Sequence, residues 1–134
     1  MEYKNKIQSF TDLEVWKEAH KLAVLIYEIT KTFPKEEIFG LISQMRRAVV
    51  SITSNIAEGF SRFSYKEKTQ FYSISCGSLT ELQNQMLIAK DVGYLNEQNF
   101  RKLSDQSITA HKLLNAFIRK TRELKTFQIP NSRF

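Results

Sequence analysis

One stretch of the sequence, Leu41 to Arg62, carries two lines of residues that both repeat at the period of an α-helix. The apolar line consists of Leu41, Met45, Ala48, Val49, Ile52 and Ile56. The polar line consists of Gln44, Arg47, Ser51, Asn55, Glu58 and Arg62. Steps of three and four residues place each line on one face of a helix, so the stretch predicts a long helix with one face in a core.

The polar line is unusual for a face that only meets solvent. Ser51, Ser54 and Asn55 are mediocre helix formers, whereas a solvated face would more readily use Glu, Lys and Ala. We interpret it as a packed or binding face, with an ordinary solvent-exposed surface as the alternative.

The charged members of the polar line need partners outside their own stretch. Arg47 and Glu58 are about three helical turns apart and cannot pair with each other. Glu81 in the next helix is the candidate partner of Arg47, in a pair that would fix helix register more than it adds stability. The alternatives of a subunit interface or a ligand site stay open.

Few residues interrupt helices in this chain, since its 134 residues include only 4 Gly and 2 Pro. We predict one domain, 1–134, with helices at about 11–33, 36–59, 64–92 and 97–127. The segment from Ser9 to Glu14 offers two overlapping helix starts, and we place the first helix at the capping box of Thr11 with Glu14. A capping box at Ser64 and an N-cap at Asn96 mark two further starts, and Gly59 and Gly93 mark two ends as glycine caps. Gly40 is placed inside the second helix. Short connections between long helices predict an all-α fold, an antiparallel up-down-up-down four-helix bundle.

The residues offer no recognisable catalytic or metal site. A bundle that holds a di-metal centre uses Glu-x-x-His pairs, and neither His20 nor His111 stands in one. The single cysteine, Cys76, excludes an internal disulfide and has no candidate base near it in the sequence. Glycine patterns of nucleotide enzymes are absent. We expect a non-enzyme without metal or cofactor.

The sequence also gives an expectation about location. The first residues lack the apolar segment of a signal peptide, and no run of 18 apolar residues occurs. A lone cysteine fits a reducing compartment. We expect a cytoplasmic protein that does not enter a membrane.

Positive charge is concentrated towards the end of the chain. Residues 1–67 hold 10 basic and 9 acidic side chains, whereas residues 68–134 hold 10 and 5. Such asymmetry favours a polyanionic partner such as nucleic acid, although many basic helices bind nothing. The candidate nucleic-acid-binding residues form two sets, a rim near the second break and a stretch of the fourth helix. They are Arg46, Arg62, Lys66 and Lys68, and Lys112, Arg119, Lys120 and Arg122.

Aromatic residues surround the break between the second and third helices. Phe60, Phe63 and Tyr65 would offer stacking surfaces for unpaired bases beside the basic rim. The alternative is that they staple the helix ends of the bundle.

Several motifs together resemble a known family, the four-helix bundle proteins named for the 23S ribosomal RNA intervening sequence. The resemblance covers about residues 10–95 and does not depend on the fourth helix. Its motifs are Leu13-x-Val15-Trp16-x-x-Ala19, Phe33-Pro34-x-x-Glu37, Gln44-x-Arg46-Arg47-Ala48, Ser51-Ile52-x-x-Asn55-Ile56-Ala57-Glu58-Gly59 and Gly77-Ser78-x-x-Glu81-Leu82.

The resemblance implies a bacterial, cytoplasmic protein whose antiparallel bundles assemble into a ring, commonly a homopentamer. It also implies a connection with RNA, since the family's genes lie in intervening sequences of ribosomal RNA. A related group serves as accessory proteins of diversity-generating retroelements, which bind nucleic acid and a reverse transcriptase. Arg47, Asn55, Glu58, Arg62 and Glu81 match the family's polar signature without an assigned catalytic role.

Two hypotheses about function follow. The first is a non-enzymatic oligomer that binds RNA or a ribonucleoprotein through basic residues on one face or in the pore of a ring. The second is a scaffold that docks a partner protein and uses its charge only for solubility. Clustering of the basic residues favours the first, and an exposed apolar patch favours the second.

Overall fold

The computed structural model describes residues 7–126, which form four α-helices joined by short connections. These are α1 (Glu14–Thr30), α2 (Leu41–Phe60), α3 (Tyr65–Asp91) and α4 (Glu97–Thr126). Two short 3₁₀ turns, Phe10–Asp12 and Lys35–Glu37, precede α1 and α2. The predicted all-α class is confirmed. None of the described helices is both long and apolar enough to cross a membrane.

The helices pack in the order of the chain. Each helix lies against the next, and α4 returns to lie against α1, whereas the diagonal pairs have no close backbone contact in the described part. Ser51 contacts Ser78, while Gly59, two turns later, lies against Tyr72. The same reversal relates α3 to α4, because the Tyr72 ring contacts the Phe117 ring while the Gln83 amide donates to the Ser107 hydroxyl. Neighbours that run in opposite directions form the predicted bundle.

The core confirms most of the predicted apolar face of α2. Met45, Val49, Ile52 and Ile56 are fully buried, and Leu41 is partly buried. The sequence also predicts a core line on α4 at Phe100, Leu103, Ser107, Ala110, Leu114, Phe117, Thr121 and Leu124. Phe100 and Phe117 are partly buried and Leu124 is 50% exposed, while the other five are buried. The helical period therefore identified these two faces correctly.

The sequence predicts a core face of α3 at Phe71, Ile74, Ser78, Leu79, Leu82, Met86 and Ala89, and the last four of these are buried. Tyr72 and Ser75 are buried, whereas Ile74, which was predicted to face the core, is 52% exposed. The reason is that α3 is packed from two sides, by α2 and α4, and its buried surface includes polar residues that an apolar pattern does not mark.

The first helix starts later than predicted because a different pair of residues forms the capping box. Ser9 and Asp12 cap each other's backbone amides around the 3₁₀ turn, and Leu13 is extended, so α1 begins at Glu14 rather than at Thr11. It ends at Thr30, three residues before the predicted end.

The second helix also starts late, at Leu41 instead of residue 36. Gly40 is the N-cap residue, with φ −112° and ψ −115°, and does not lie inside the helix as predicted. The Glu37 carboxylate accepts a hydrogen bond of 2.9 Å from the amide of Leu41. An acidic side chain at this end also suits the positive end of the helix dipole.

The caps of the last two helices agree with the sequence prediction. Ser64 accepts from the Glu67 amide at the start of α3, and Asn96 accepts from the Asn99 amide at the start of α4. Gly93 has φ of +89°, the left-handed conformation expected after a helix.

Gly59 is not the predicted left-handed cap but part of the last turn of α2. A Cβ atom built on it would lie 2.6 Å from Cε1 of Tyr72 and 3.0 Å from Cβ of Phe71. The residue is therefore glycine because α2 and α3 approach each other closely there.

Candidate nucleic-acid interface

An open groove of about 600 Å³ runs between α3 and α4. Its lining is mixed, with apolar, hydroxyl, amide and guanidinium groups. The lining residues are Ser73, Cys76, Gly77 and Thr80 from α3 and Asn115, Ile118, Arg119 and Arg122 from α4. Two arginines thus border one concave surface.

Helical spacing explains why this groove is open. Ser73, Gly77 and Thr80 follow each other at steps of four and three, so α3 presents a line of small residues to the groove. A Cβ atom on Gly77 would meet nothing within 4 Å. In the sequence, the small residues Ser75-Cys76-Gly77-Ser78 predict a place where another backbone or a large side chain approaches α3 closely. At Gly77 no such approach occurs among the described residues.

Its two serines do meet the neighbouring helix. The Ser75 hydroxyl donates to the Ile52 carbonyl at 2.6 Å, and the Ser78 and Ser51 hydroxyls lie 2.7 Å apart. These contacts bring α2 and α3 together on the side opposite the groove.

Cys76 has neighbours that the sequence could not reveal. Its Sγ lies 3.6 Å from Nε2 of His111, and the thiol donates to Oδ1 of Asn115 over the same distance. The expectation of no base near this thiol is therefore wrong. Burial nevertheless raises the pKa of the Cys76 thiol, which disfavours the thiolate that a nucleophile requires.

The four basic residues predicted on α4 are all exposed. Lys112 lies near the middle of the helix, and Arg119, Lys120 and Arg122 lie towards its end. Arg119 and Arg122 border the groove. Lys112 precedes Arg119 by seven residues, two helical turns, and so lies on the same helix face. Lys120 turns to the opposite side, where it lines a smaller cavity of about 200 Å³ between α1 and α4.

Lys66 lies on α3, the other helix of the groove, and extends the basic surface from there. It is exposed and precedes Ser73 by seven residues, so it continues the groove-lining face of α3. The contact of Tyr72 with Phe117 sets the register of the two helices, and it places Lys66 level with the turn that contains Arg122.

Arg62 and Lys68 are engaged in holding the break between α2 and α3. Arg62 pairs with Glu58 and stacks over the ring of Phe71 at 4.8 Å. The Lys68 amine donates to the carbonyl of Phe60 at 2.8 Å and lies over that residue's ring, and burial lowers its pKa. Both cations stabilise the end of α2.

Arg46 lies away from the other members of its predicted set. Its guanidinium donates to the Thr30 hydroxyl and the Tyr27 carbonyl and covers the Tyr27 ring at 4.7 Å. It therefore caps the end of α1, and the 16 residues that separate it from Arg62 correspond to roughly 24 Å of helix. The structure does not bring Arg46 into a rim with Arg62, Lys66 and Lys68.

The aromatic residues at the same break divide into two kinds. Phe60 packs against the core and beneath Lys68, as a staple would. Phe63 is 79% exposed and keeps its ring available for stacking.

The polar line of α2 lies along its seam with α3, which we call the α2–α3 seam. Ser51 and Asn55 are half-buried, and the Asn55 amide donates to the Ser51 carbonyl and hydroxyl oxygens. Gln44, Arg47 and Glu58 are exposed at its edge. This line therefore belongs in part to helix packing and in part to the surface.

Arg47 and Glu81 are not paired in the described part of the chain. In the antiparallel register Arg47, one turn before Ser51, faces the turn after Ser78 that holds Glu81, yet no hydrogen bond or ion pair joins them. Glu81 accepts only a long bond from Gln85, at 3.4 Å. Gln85 is 4% exposed, and its Oε1 has no partner among the described residues.

A separate apolar surface lies at the opposite end of the bundle, around the connection between α1 and α2. Phe39 is 92% exposed, and Ile38 next to it is half exposed. Ile38 and Arg46 line a cavity of about 350 Å³ with Lys31, Phe33 and Lys35 among its other residues. The periodicity of the sequence gave no signal for this patch, because it lies in a connection.

No group of three or more metal-ligating side chains occurs in residues that the structure describes. Sequence reasoning found the arginines of the groove but missed Ser73, Thr80 and Asn115. Their spacing with Gly77 and Arg119 was readable, but only the pairing of α3 with α4 shows that the two lines face one opening.

Comparison with known proteins gives one family. The family model described as "23S rRNA-intervening sequence protein" matches residues 11–116. A crystal structure from Bacteroides thetaiotaomicron, titled a protein with unknown function from the S23 ribosomal protein family, has a TM-score of 0.70 at 20% identity. The match covers 78% of this chain and 97% of that one, and it supports the fold. No curated protein matches.

Proposed function

Because the chain belongs to the 23S rRNA-intervening sequence protein family, we propose that it is a non-enzymatic oligomeric bundle that binds RNA or a ribonucleoprotein. The observation that carries the proposal is the meeting of Arg119 and Arg122 at one open groove, with Lys66 continuing its wall. The contacts would be made to phosphates of the RNA backbone.

Guanidinium groups suit this task for a chemical reason. They present several N–H donors in a planar fork that matches two phosphate oxygens, and they keep their charge at any physiological pH. Lys66 and Lys112 would add point charges on either side. Binding through such contacts does not depend on base sequence and falls steeply with salt.

The surroundings of Cys76 support the non-enzymatic part of the proposal. Its neighbour His111 is placed as a base would be, but burial of the thiol acts against ionisation. A nucleophilic cysteine requires the opposite shift of its pKa.

The test is a binding titration with fluorescent structured RNA, duplex DNA and single strands over about 50–200 mM salt, where phosphate contacts lose most affinity. The double variant Arg119→Ala, Arg122→Ala should weaken RNA binding about tenfold or more and lower the salt slope by about two, one for each phosphate contact removed.

A matched control removes the same charge elsewhere on α4. Arg101 and Lys102 are exposed near the other end of the helix, and Arg101 makes only a surface pair with Glu97. The double variant Arg101→Ala, Lys102→Ala should bind RNA nearly as the wild type does. Equal losses in both double variants would reduce the effect to net charge, and no binding by the wild type at the lowest salt would refute the proposal.

The alternative is a protein-interaction scaffold, and the exposed Phe39 favours it. Absence of nucleic-acid binding would make this alternative the leading one. The oligomeric mass of Phe39→Ser then shows whether the exposed patch serves self-association or the docking of a partner protein. A lower mass would show that self-association consumes the patch, which would remove the main support for the scaffold.

A further inference from the structure

We propose that the groove between α3 and α4 receives a single unpaired nucleotide of the bound RNA. Its base would lie over Gly77, Cys76 and Ile118, and its phosphate would meet Arg119 and Arg122. The inference rests on the proposed function, because it assigns a role to the same groove.

The size of the groove fits one nucleotide. Its volume of about 600 Å³ lies within the range of small-ligand sites, roughly 300–1,000 Å³. A base within a duplex is stacked between its neighbours and cannot enter such a space without being extruded. The groove should therefore select unpaired RNA over duplex.

One part of the groove lining suits the base of a nucleotide, and another part suits its phosphate. Gly77 leaves open space beside the backbone of α3, and Ile118 gives an apolar contact for a flat ring. Oδ1 of Asn115 accepts a hydrogen bond from the Cys76 thiol, so the NH₂ group of the Asn115 side chain is left to donate to the edge of a base. The arginines follow on the next turns of α4 and would hold the phosphate.

Gly77 permits a test that leaves every charge in place. Gly77→Leu fills the open space with a good helix former, whereas Gly77→Ala adds one carbon that meets nothing within 4 Å. For an unstructured single-stranded RNA, Gly77→Leu should weaken binding about tenfold, because the stacking contribution of one base is lost. Gly77→Ala should change the affinity less than about twofold. Binding of duplex RNA should be the same in all three proteins.

Cys76 provides a second readout in the unaltered protein. It is the only cysteine of the chain and lines the groove. Saturating single-stranded RNA should slow its reaction with N-ethylmaleimide at least about fivefold, since a seated base covers the thiol. Saturating duplex RNA should leave the rate unchanged.

The outcomes separate this inference from the proposed function. If the wild type binds RNA, Gly77→Leu binds equally well and Cys76 stays reactive, the groove does not seat a nucleotide, while RNA binding stands. If the wild type binds no RNA at any salt, both proposals are wrong. Circular dichroism of each variant verifies that it is folded, and the thiol measurement does not depend on any variant.

Discussion

Two glycines inside helices have opposite surroundings, although the sequence presents them alike. Gly59 is pressed against Tyr72 and Phe71, whereas Gly77 has open space where a side chain would be. Both lie in helices and neither has a positive φ. Sequence reasoning assigned Gly59 to a cap, which is wrong, and the cluster Ser75 to Ser78 to a close approach, which occurs at its two serines but not at Gly77. Tertiary contacts decide both cases.

The contrast predicts opposite effects of the same substitution. Gly59→Ala should lower the free energy of unfolding by about 1–3 kcal/mol, since the added carbon would overlap Tyr72. Gly77→Ala should raise it by about 0.5–1 kcal/mol, because alanine loses less backbone entropy in a helix. Urea denaturation of the two variants measures both values. Stabilisation by Gly59→Ala would mean that α2 and α3 do not approach as described.

At the scale of the helix, ends with a single local signal were predicted well and ends with competing signals were not. Ser64 and Asn96 cap α3 and α4 as expected. Before α1 and α2 a 3₁₀ turn intervenes. The sequence holds overlapping capping residues before α1, whereas α2 starts after its N-cap residue Gly40, without a capping side chain of its own. Competition between such local hydrogen bonds depends on where Leu13 and Phe33 are buried, which only the packed bundle determines.

Glu37 joins two connections at one end of the bundle and should make stability depend on acid. Its carboxylate accepts from the Leu41 amide and, at 2.9 Å, from the Tyr94 hydroxyl, and these bonds hold its pKa below the ordinary value of 4.5. A lowered folded-state pKa gives a contribution that is present above the unfolded value and is lost as pH falls through the folded one.

As the pH is lowered, the free energy of unfolding should fall less in Glu37→Gln than in the wild type. Urea midpoints compared between about pH 6 and pH 3 measure it, since the glutamine has no proton to gain there. Glu36→Gln removes the same charge from an exposed neighbour and should keep the wild-type dependence. If the free energy of unfolding of Glu37→Gln fell in acid as much as that of the wild type, the role of this cap would be contradicted.

For the whole molecule, local patterns were enough for the architecture but not for the candidate site. Helical period and caps specify four helices, and short connections leave few ways to pack them. The contact of Cys76 with His111 joins residues 35 positions apart and depends on the register between α3 and α4. Period alone does not set that register, so the groove and its floor could not be derived from the sequence.

The α2–α3 seam holds polar groups that one chain leaves without partners. Arg47 is exposed and does not reach Glu81, and Oε1 of Gln85 is buried without a hydrogen bond in the described residues. Oε1 of Gln85 is already enclosed by its own chain, so a second copy could not reach it, whereas Arg47 and Glu81 are exposed and could each take an ionic partner from another copy. We therefore expect the seam to be covered by another copy of the chain in the proposed oligomer.

Charge reversal in the seam should then lower the mass of the particle. We expect a multiple of 15.7 kDa for the wild type, a pentamer if the ring implied by the resemblance forms, and a smaller species for Arg47→Glu. Lys102→Glu makes the same change on an exposed face of α4 and should keep the wild-type mass. Light scattering after size exclusion measures all three. A wild-type monomer would contradict the oligomer itself. A reversed charge in a buried interface cannot be accommodated without loss of association. An Arg47→Glu protein of unchanged mass would therefore place the contact between copies elsewhere.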